Sequence, residues 1–352
     1  MFKTTLNTAR LTSIFRRQYE LCALARGETV VLLTDYRSDR DVVRAGMAAA
    51  AEIGNAAFEI CVGEGPSEQY VGANPLEAQG LIEAVRHTNL VLTFFVGFFS
   101  GWETAVRAAG GRILNVLETP DQLARLQSSP ALKKAVLAAA DRLRRARTVR
   151  VTSDAGTDLS WIRDPDEELI VHYGATDEPG QQDQWGQGMV AMFPAEGSAN
   201  GRVVVKPGDV WILPYARMVQ SPIELDVRDG FIRSVSGGAD AKAFKYWLDS
   251  CRTSEGDLDP YAISHLGWGL NPKARWDDII HWENSMENLQ ASRRSYPGSF
   301  LFSTGPSPKR KTHGHIDMSL NDCTIALDGE VIINKGSIVD PAMIVDPARA
   351  YH

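Results

Sequence analysis

The feature that most constrains this chain is a change of rhythm near Thr148. Before it, short apolar runs alternate with helix-forming segments; after it, short alternating runs are separated by Gly, Pro and Asp. In the first half, residues 29–33, 57–62, 90–95 and 112–117 read as strands, and 42–53, 75–87 and 130–147 as helices. Strands that alternate with helices predict a mostly parallel sheet covered on both faces. In the second half, 202–206, 210–213 and 223–227 read as strands, and 237–250 offers one helix. Asp229-Gly230 and Asp328-Gly329 sit between apolar runs, where that pair sets up a tight hairpin turn. The expectation is an α/β domain over 1–147 and a strand-rich α+β domain over 148–352, the second carrying the chemistry. A chain of 352 residues suits two domains.

Charge and cysteine usage narrow the function classes. Lys+Arg total 37 against Asp+Glu 44, a net charge of -7, which argues against a broad phosphate-binding surface and so against nucleic acid. The first residues, through Arg16-Arg17, lack the apolar core of a secretory signal. The most apolar stretch, 90–102, is interrupted by Thr93, Gly97 and Ser100 and is too short to cross a membrane. Four scattered cysteines, Cys22, Cys61, Cys251 and Cys323, form no CxxC pair and read as reduced thiols of a cytoplasmic protein.

Several familiar motifs are absent: G-x-G-x-x-G after a strand, Walker A, G-x-S-x-G and H-E-x-x-H. What remains is the distribution of histidine. Of seven, four fall between positions 265 and 315. His265 stands in Ile263-Ser-His-Leu-Gly-Trp-Gly-Leu-Asn-Pro272; alone, such a histidine is more often a satisfied core residue than a ligand. Thr312-His-Gly-His-Ile-Asp-Met318, if a strand, projects His313, His315 and Asp317 to one face. With a histidine from elsewhere these residues make a two-histidine, one-carboxylate set, which leaves open positions and suits iron(II). A surface polar strand explains the same motif equally well.

Three motifs in order carry a family resemblance: the segment around His265, Phe300-Leu-Phe-Ser-Thr-Gly-Pro306, and the run from Lys309-Arg-Lys-Thr to His315 and Asp317. Together with Asp177-Glu-Pro-Gly180 and Lys206-Pro-Gly-Asp209, they make the chain resemble the 2,5-dihydroxypyridine 5,6-dioxygenases over nearly its whole length. The resemblance implies a mononuclear non-haem Fe(II) ring-cleaving dioxygenase held by His265, His315 and Asp317. It further implies an acid–base role for Glu178 and a substrate contacted by Phe99, Trp185, Ser303 and Thr304; His313 stands where that family has no histidine and is a compensating acid–base candidate. The expected partners are a small aromatic or heteroaromatic ring and O2, in a cytoplasmic homo-oligomer with no membrane or nucleic-acid role. Glu178 reads equally well as a turn residue before Pro179, and Lys309-Arg310-Lys311 as a solvated loop.

The same family is similar in fold to the aminopeptidase T-type metallopeptidases, which hold two metals. Phe193-Pro-Ala-Glu196 looks like the segment that brings one of their carboxylate ligands. Their second glutamate falls at His265 and their histidine at Leu301, substitutions that would undo a two-metal site. The rival reading is a metal-dependent aminopeptidase that adds Glu196 and Glu178 as ligands; another is a scaffold that binds no metal. Two departures from the pyridine enzymes bear on the substrate. Phe99 stands where they carry histidine, and Asp183-Gln-Trp185 where they carry Asp-His-Trp, so another hydroxy- or amino-substituted ring is expected as an alternative.

Overall fold

A computed structural model of the chain describes residues 7–63, 76–95, 97, 100–281 and 290–346. The chain divides into two compact units. The first comprises residues 1–129, 172–187 and 287–291; the second comprises 130–171, 188–286 and 292–352.

The first unit is built on a five-stranded, wholly parallel sheet. Its order is Ala56–Cys61, Thr29–Thr34, Leu90–Thr93, Arg112–Asn115 and Gln182–Gln184. The central strands are continuous apolar runs because helices cover both faces, which leaves no polar side to alternate with. Val31, Leu33, Val91, Phe95, Trp102, Val106 and Ile113 form one core cluster. The helix Arg40–Ile53 begins where the Asp39 side chain accepts from the amides of Asp41 and Val42. It ends at Gly54, whose φ of 94° is the left-handed turn that a side chain resists.

The fifth strand is the part that the rhythm of the sequence hides. Gln182-Asp-Gln184 has no apolar signature, yet Asp183 is fully buried. Its carboxylate accepts from the backbone amides of Tyr173, Gly174 and Gln184, which replaces the water it gives up. The chain therefore returns to the first sheet after residue 171. The helix Pro130–Arg145 falls in the second unit, where it packs on the strand Met189–Met192, so the units do not part at 147/148. The helices Thr8–Leu21 and Gly101–Ala108 are also additions to the segments expected from the sequence.

The second unit holds two antiparallel sheets. One has eight strands, with Asn200–Val205, Asp158–Ile162, Thr148–Thr152 and Thr324–Leu327 at its centre. The other has seven, in the order Arg217–Met218, Val210–Leu213, Ile316–Leu320, Phe300–Thr304, Leu266–Gly269, Met189–Met192 and Ile170–His172. The stacked rings of Trp161 and Phe300, 6.2 Å apart, join the two sheets face to face. Both expected hairpins form at Asp-Gly pairs in which each residue has positive φ: 51° and 77° at Asp229-Gly230, 47° and 86° at Asp328-Gly329. Every strand adjacent to Phe300–Thr304 is fully buried, as a layer covered on both faces requires.

In the first unit Arg40 at the start of its helix grips Glu59 with two bonds, of 2.6 and 2.7 Å, and Thr34 donates to the same carboxylate. Arg40 is the main reason that the Glu59 carboxyl is held down to about 2. A carboxyl lowered on folding adds stability that is present above its ordinary 4.5 and fades as pH falls through its folded value. The stability difference between wild type and Glu59→Gln, from urea unfolding, should therefore be constant above about pH 5 and shrink toward acid. A difference that does not change with pH would contradict this.

Candidate metal centre

The seven-stranded sheet brings three polar side chains together at one end of its three central strands. His265 immediately precedes the strand Leu266–Gly269, and His315 immediately precedes Ile316–Leu320. Between those strands runs Phe300–Thr304, whose Ser303 is the register partner of Asp317. Neighbouring antiparallel strands thus present the beginnings of two and the end of the third at the same place. Close backbone approach makes this arrangement possible. A Cβ on Gly267 would lie 2.0 Å from the carbonyl oxygen of Val190, so the strand carrying His265 can sit against its neighbour only without a side chain there.

The reactive atoms converge. Asp317 Oδ1 lies 3.2 Å from His265 Nε2 and 3.1 Å from His315 Nε2, and the three candidate ligand atoms are all within 4.8 Å of one another. Asp317 is fully buried, His315 nearly so, and the His265 side chain is 15% exposed. The other nitrogen of each ring is fixed by the backbone framework. His315 Nδ1 faces the carbonyl oxygen of Thr304 at 3.0 Å, which only an N–H can satisfy. His265 Nδ1 faces the hydroxyls of Ser264 at 3.4 Å and Ser303 at 3.3 Å. The Ser264 hydroxyl donates to the carbonyl of Pro306, so toward His265 it accepts, which favours the tautomer with the proton on Nδ1.

With the proton on Nδ1, a neutral ring at either position would aim its Nε2 lone pair at the Asp317 oxygen. Three lone-pair donors at hydrogen-bond distance repel one another unless a cation lies among them. Burial lowers the pKa of His265, which favours the neutral, ligating form. Burial pushes the Asp317 carboxyl up, but the buried Arg294 guanidinium beside it leads the opposing influences, and the group is held well below the usual carboxylate range. Neutral imidazoles beside an ionised carboxylate make a donor set that fits a divalent transition metal and leaves positions open.

Other residues singled out from the sequence lie elsewhere. His313 is exposed in a bend, because the strand begins only at Ile316; it does not share the face of His315 and Asp317. Its carbonyl instead accepts the amide of His315 at 2.8 Å. Ser303 and Thr304 are buried behind the histidines, Ser303 through its hydroxyl and Thr304 through its carbonyl. Glu178 and Trp185 belong to the first unit. Glu178 is exposed at a turn closed by Gln181, and Trp185 is fully buried, edge-on to Phe15, with its N–H on the Leu123 carbonyl. Phe99 lies outside the described residues.

Sequence reasoning overlooked Arg294 and read Arg310 only as part of a solvated basic loop. Arg294 lies in the short helix Gln290–Ser295 and donates to Asp317 Oδ2. Arg310 donates to the carbonyls of Ile263 and Gly305, one on each segment flanking the cluster, and to Glu196 at 2.8 Å. The basic run at 309–311 is thus largely committed within the chain: Lys309 pairs with Asp164 and Glu167. The basic run shortly before Asp317 is the signal the sequence held for Arg310; Arg294, twenty-three residues away, carried none.

Comparison with known proteins follows the same lines. A family model described as NicX: 2,5-dihydroxypyridine 5,6-dioxygenase matches residues 10–340. The 2,5-dihydroxypyridine 5,6-dioxygenase of Pseudomonas putida is 32% identical over 353 residues, covering 96% of this chain and 98% of that protein. A solved structure of the Pseudomonas putida 2,5-dihydroxypyridine dioxygenase superposes with a TM-score of 0.89 at 30% identity, covering 96% of this chain and 100% of that one. Wild-type AmpT from Thermus thermophilus superposes at 0.58 with 12% identity, over 94% and 99% of the two chains, a likeness of fold alone.

The geometry predicts which histidine matters. Asp317→Asn and His315→Ala should each lose stoichiometric cobalt(II) binding, measured by calorimetry, whereas His313→Ala should bind as wild type does. Equal losses in His313→Ala and His315→Ala would show that the cluster is not the metal site.

Proposed function

The chain belongs to the 2,5-dihydroxypyridine 5,6-dioxygenase family, and on that premise we propose that it is a mononuclear iron(II) dioxygenase that opens a hydroxylated pyridine ring, 2,5-dihydroxypyridine first among its substrates. The observation that carries the reading is the convergence of His265 Nε2 and His315 Nε2 on Asp317 Oδ1. Iron(II) bound there would supply the electronic link between an electron-rich ring and dioxygen.

The chain's own residues do the rest. His265, His315 and Asp317 would hold the metal at one end of their strands. Ser264, Ser303 and the Thr304 carbonyl fix both imidazoles in the ligating tautomer, so we assign Ser303 and Thr304 to orienting ligands rather than to substrate. The Phe193 ring stands edge-on to His265, 6.0 Å between centroids, and gives that flank of the site an apolar wall.

The two-metal peptidase reading lacks its ligands. Glu196 is taken by Arg310, and Leu301 is a fully buried core residue paired with Gly267 and Ser319. Among the described residues, His265, His315 and Asp317 are the one group arranged to hold a metal. No helix among those residues is long and apolar enough to cross a membrane, and we place the enzyme in the cytoplasm, acting on a small diffusible ring and O2.

Anaerobic reconstitution with iron(II), followed by oxygen uptake, tests the proposal. One dioxygen should be consumed per 2,5-dihydroxypyridine, with loss of the ring's absorbance, and His265→Ala should do neither. One iron per chain with no uptake would reject this substrate, and the same assay run on aminophenols and other hydroxylated rings would then find the one it takes. Undiminished uptake by His265→Ala would reject the site.

A further inference from the structure

The two oxygens of Asp317 are treated differently. Oδ1 faces both imidazoles, at 3.2 and 3.1 Å. Oδ2 faces neither; it accepts from Arg294 Nε at 2.8 Å and also from Nη2 of the same guanidinium. Both of these bonds to the carboxylate go to one oxygen, where an ordinary side-on pairing of guanidinium and carboxylate would share them between two.

The donor is delivered from a fixed backbone. The helix Gln290–Ser295 that carries Arg294 is tied down on either side of it. Ser319 donates through its hydroxyl to the Arg293 carbonyl, the Asn271 amide donates to the Ser295 carbonyl at 2.9 Å, and the Gly188 amide donates to the Ser295 hydroxyl at 3.0 Å. Asp317 is equally constrained, as its strand pairs with Ser303 on one side and Leu213 on the other. Arg294 is itself buried, so water does not compete for Oδ2.

We propose that Arg294 is a positioning residue that keeps Asp317 one-armed: by occupying Oδ2 it prevents the carboxylate from chelating the metal through both oxygens. The inference rests on the metal reading above and deepens it. A six-coordinate metal with three protein donors keeps three positions for exchangeable ligands; a chelating carboxylate would take one of them. A ring bound through two of its atoms together with dioxygen needs all three. Arg294 thus sets how many exchangeable ligands the site admits, without touching any of them.

Manganese(II) is the probe, because water carrying oxygen-17 broadens its EPR lines in proportion to the number of waters bound directly to the ion. Wild type should hold three such waters and Arg294→Met two, while Arg294→Lys, which keeps a donor for Oδ2, should return to three. Should Arg294→Met not fold, Arg294→Gln, too short to reach the carboxylate, carries the same expectation. Two waters in wild type, or the same number in every variant, would overturn the role given to Arg294. Absence of any bound manganese in the wild-type protein would instead reject the metal site itself.

Discussion

Placing an ionised carboxylate inside a protein layer is costly unless every lone pair finds a donor or a cation. Asp317 is fully buried in the middle of an antiparallel sheet, and the organisation of the site follows from meeting that demand. Arg294 satisfies one oxygen and the metal-ligand cluster claims the other. Removing one partner of such a buried pair typically costs about 3–5 kcal/mol, so this part of the sheet depends on Arg294 and Asp317 staying together. A core built for stability alone would put an apolar side chain there, as the same strand does at Ile316 and Met318.

The surrounding sheet converts that demand into geometry. Two histidines that start their strands and an aspartate one step inside a strand meet only if three strands keep a fixed register. The close packing at Gly267 and the Ser303–Asp317 pairing provide it. The residues that orient the imidazoles come from the same strand ends, so ligand position and tautomer are set together. Arg310 ties the segments after Ala262 and after Thr304 through their carbonyls, which links the loops on either side of the cluster. Its pairing with Glu196 also removes the carboxylate that a second metal would need.

Much of this was legible in the sequence, and the parts that were not share a physical cause. Apolar runs at Leu90–Thr93 and Arg112–Asn115 announce buried parallel strands, and Asp229-Gly230 announces its hairpin, because these signals are local. The strand Gln182–Gln184 was hidden because its stability comes from distant backbone amides on Asp183, not from its own composition. His313 and His315 look equivalent on a strand of period two; that the strand begins at Ile316 is decided by its pairing with Thr304. Arg294 was invisible for a similar reason: twenty-three residues separate it from Asp317, and nothing local marks it as that residue's partner.

The central claim is that one metal is held by His265, His315 and Asp317. Anomalous diffraction at the iron edge, from crystals of the anaerobically loaded protein, tests it most directly. The account predicts a single iron peak per chain within bonding distance of His265 Nε2, His315 Nε2 and one oxygen of Asp317. A second peak beside Glu196, or a single peak away from these three residues, would contradict it.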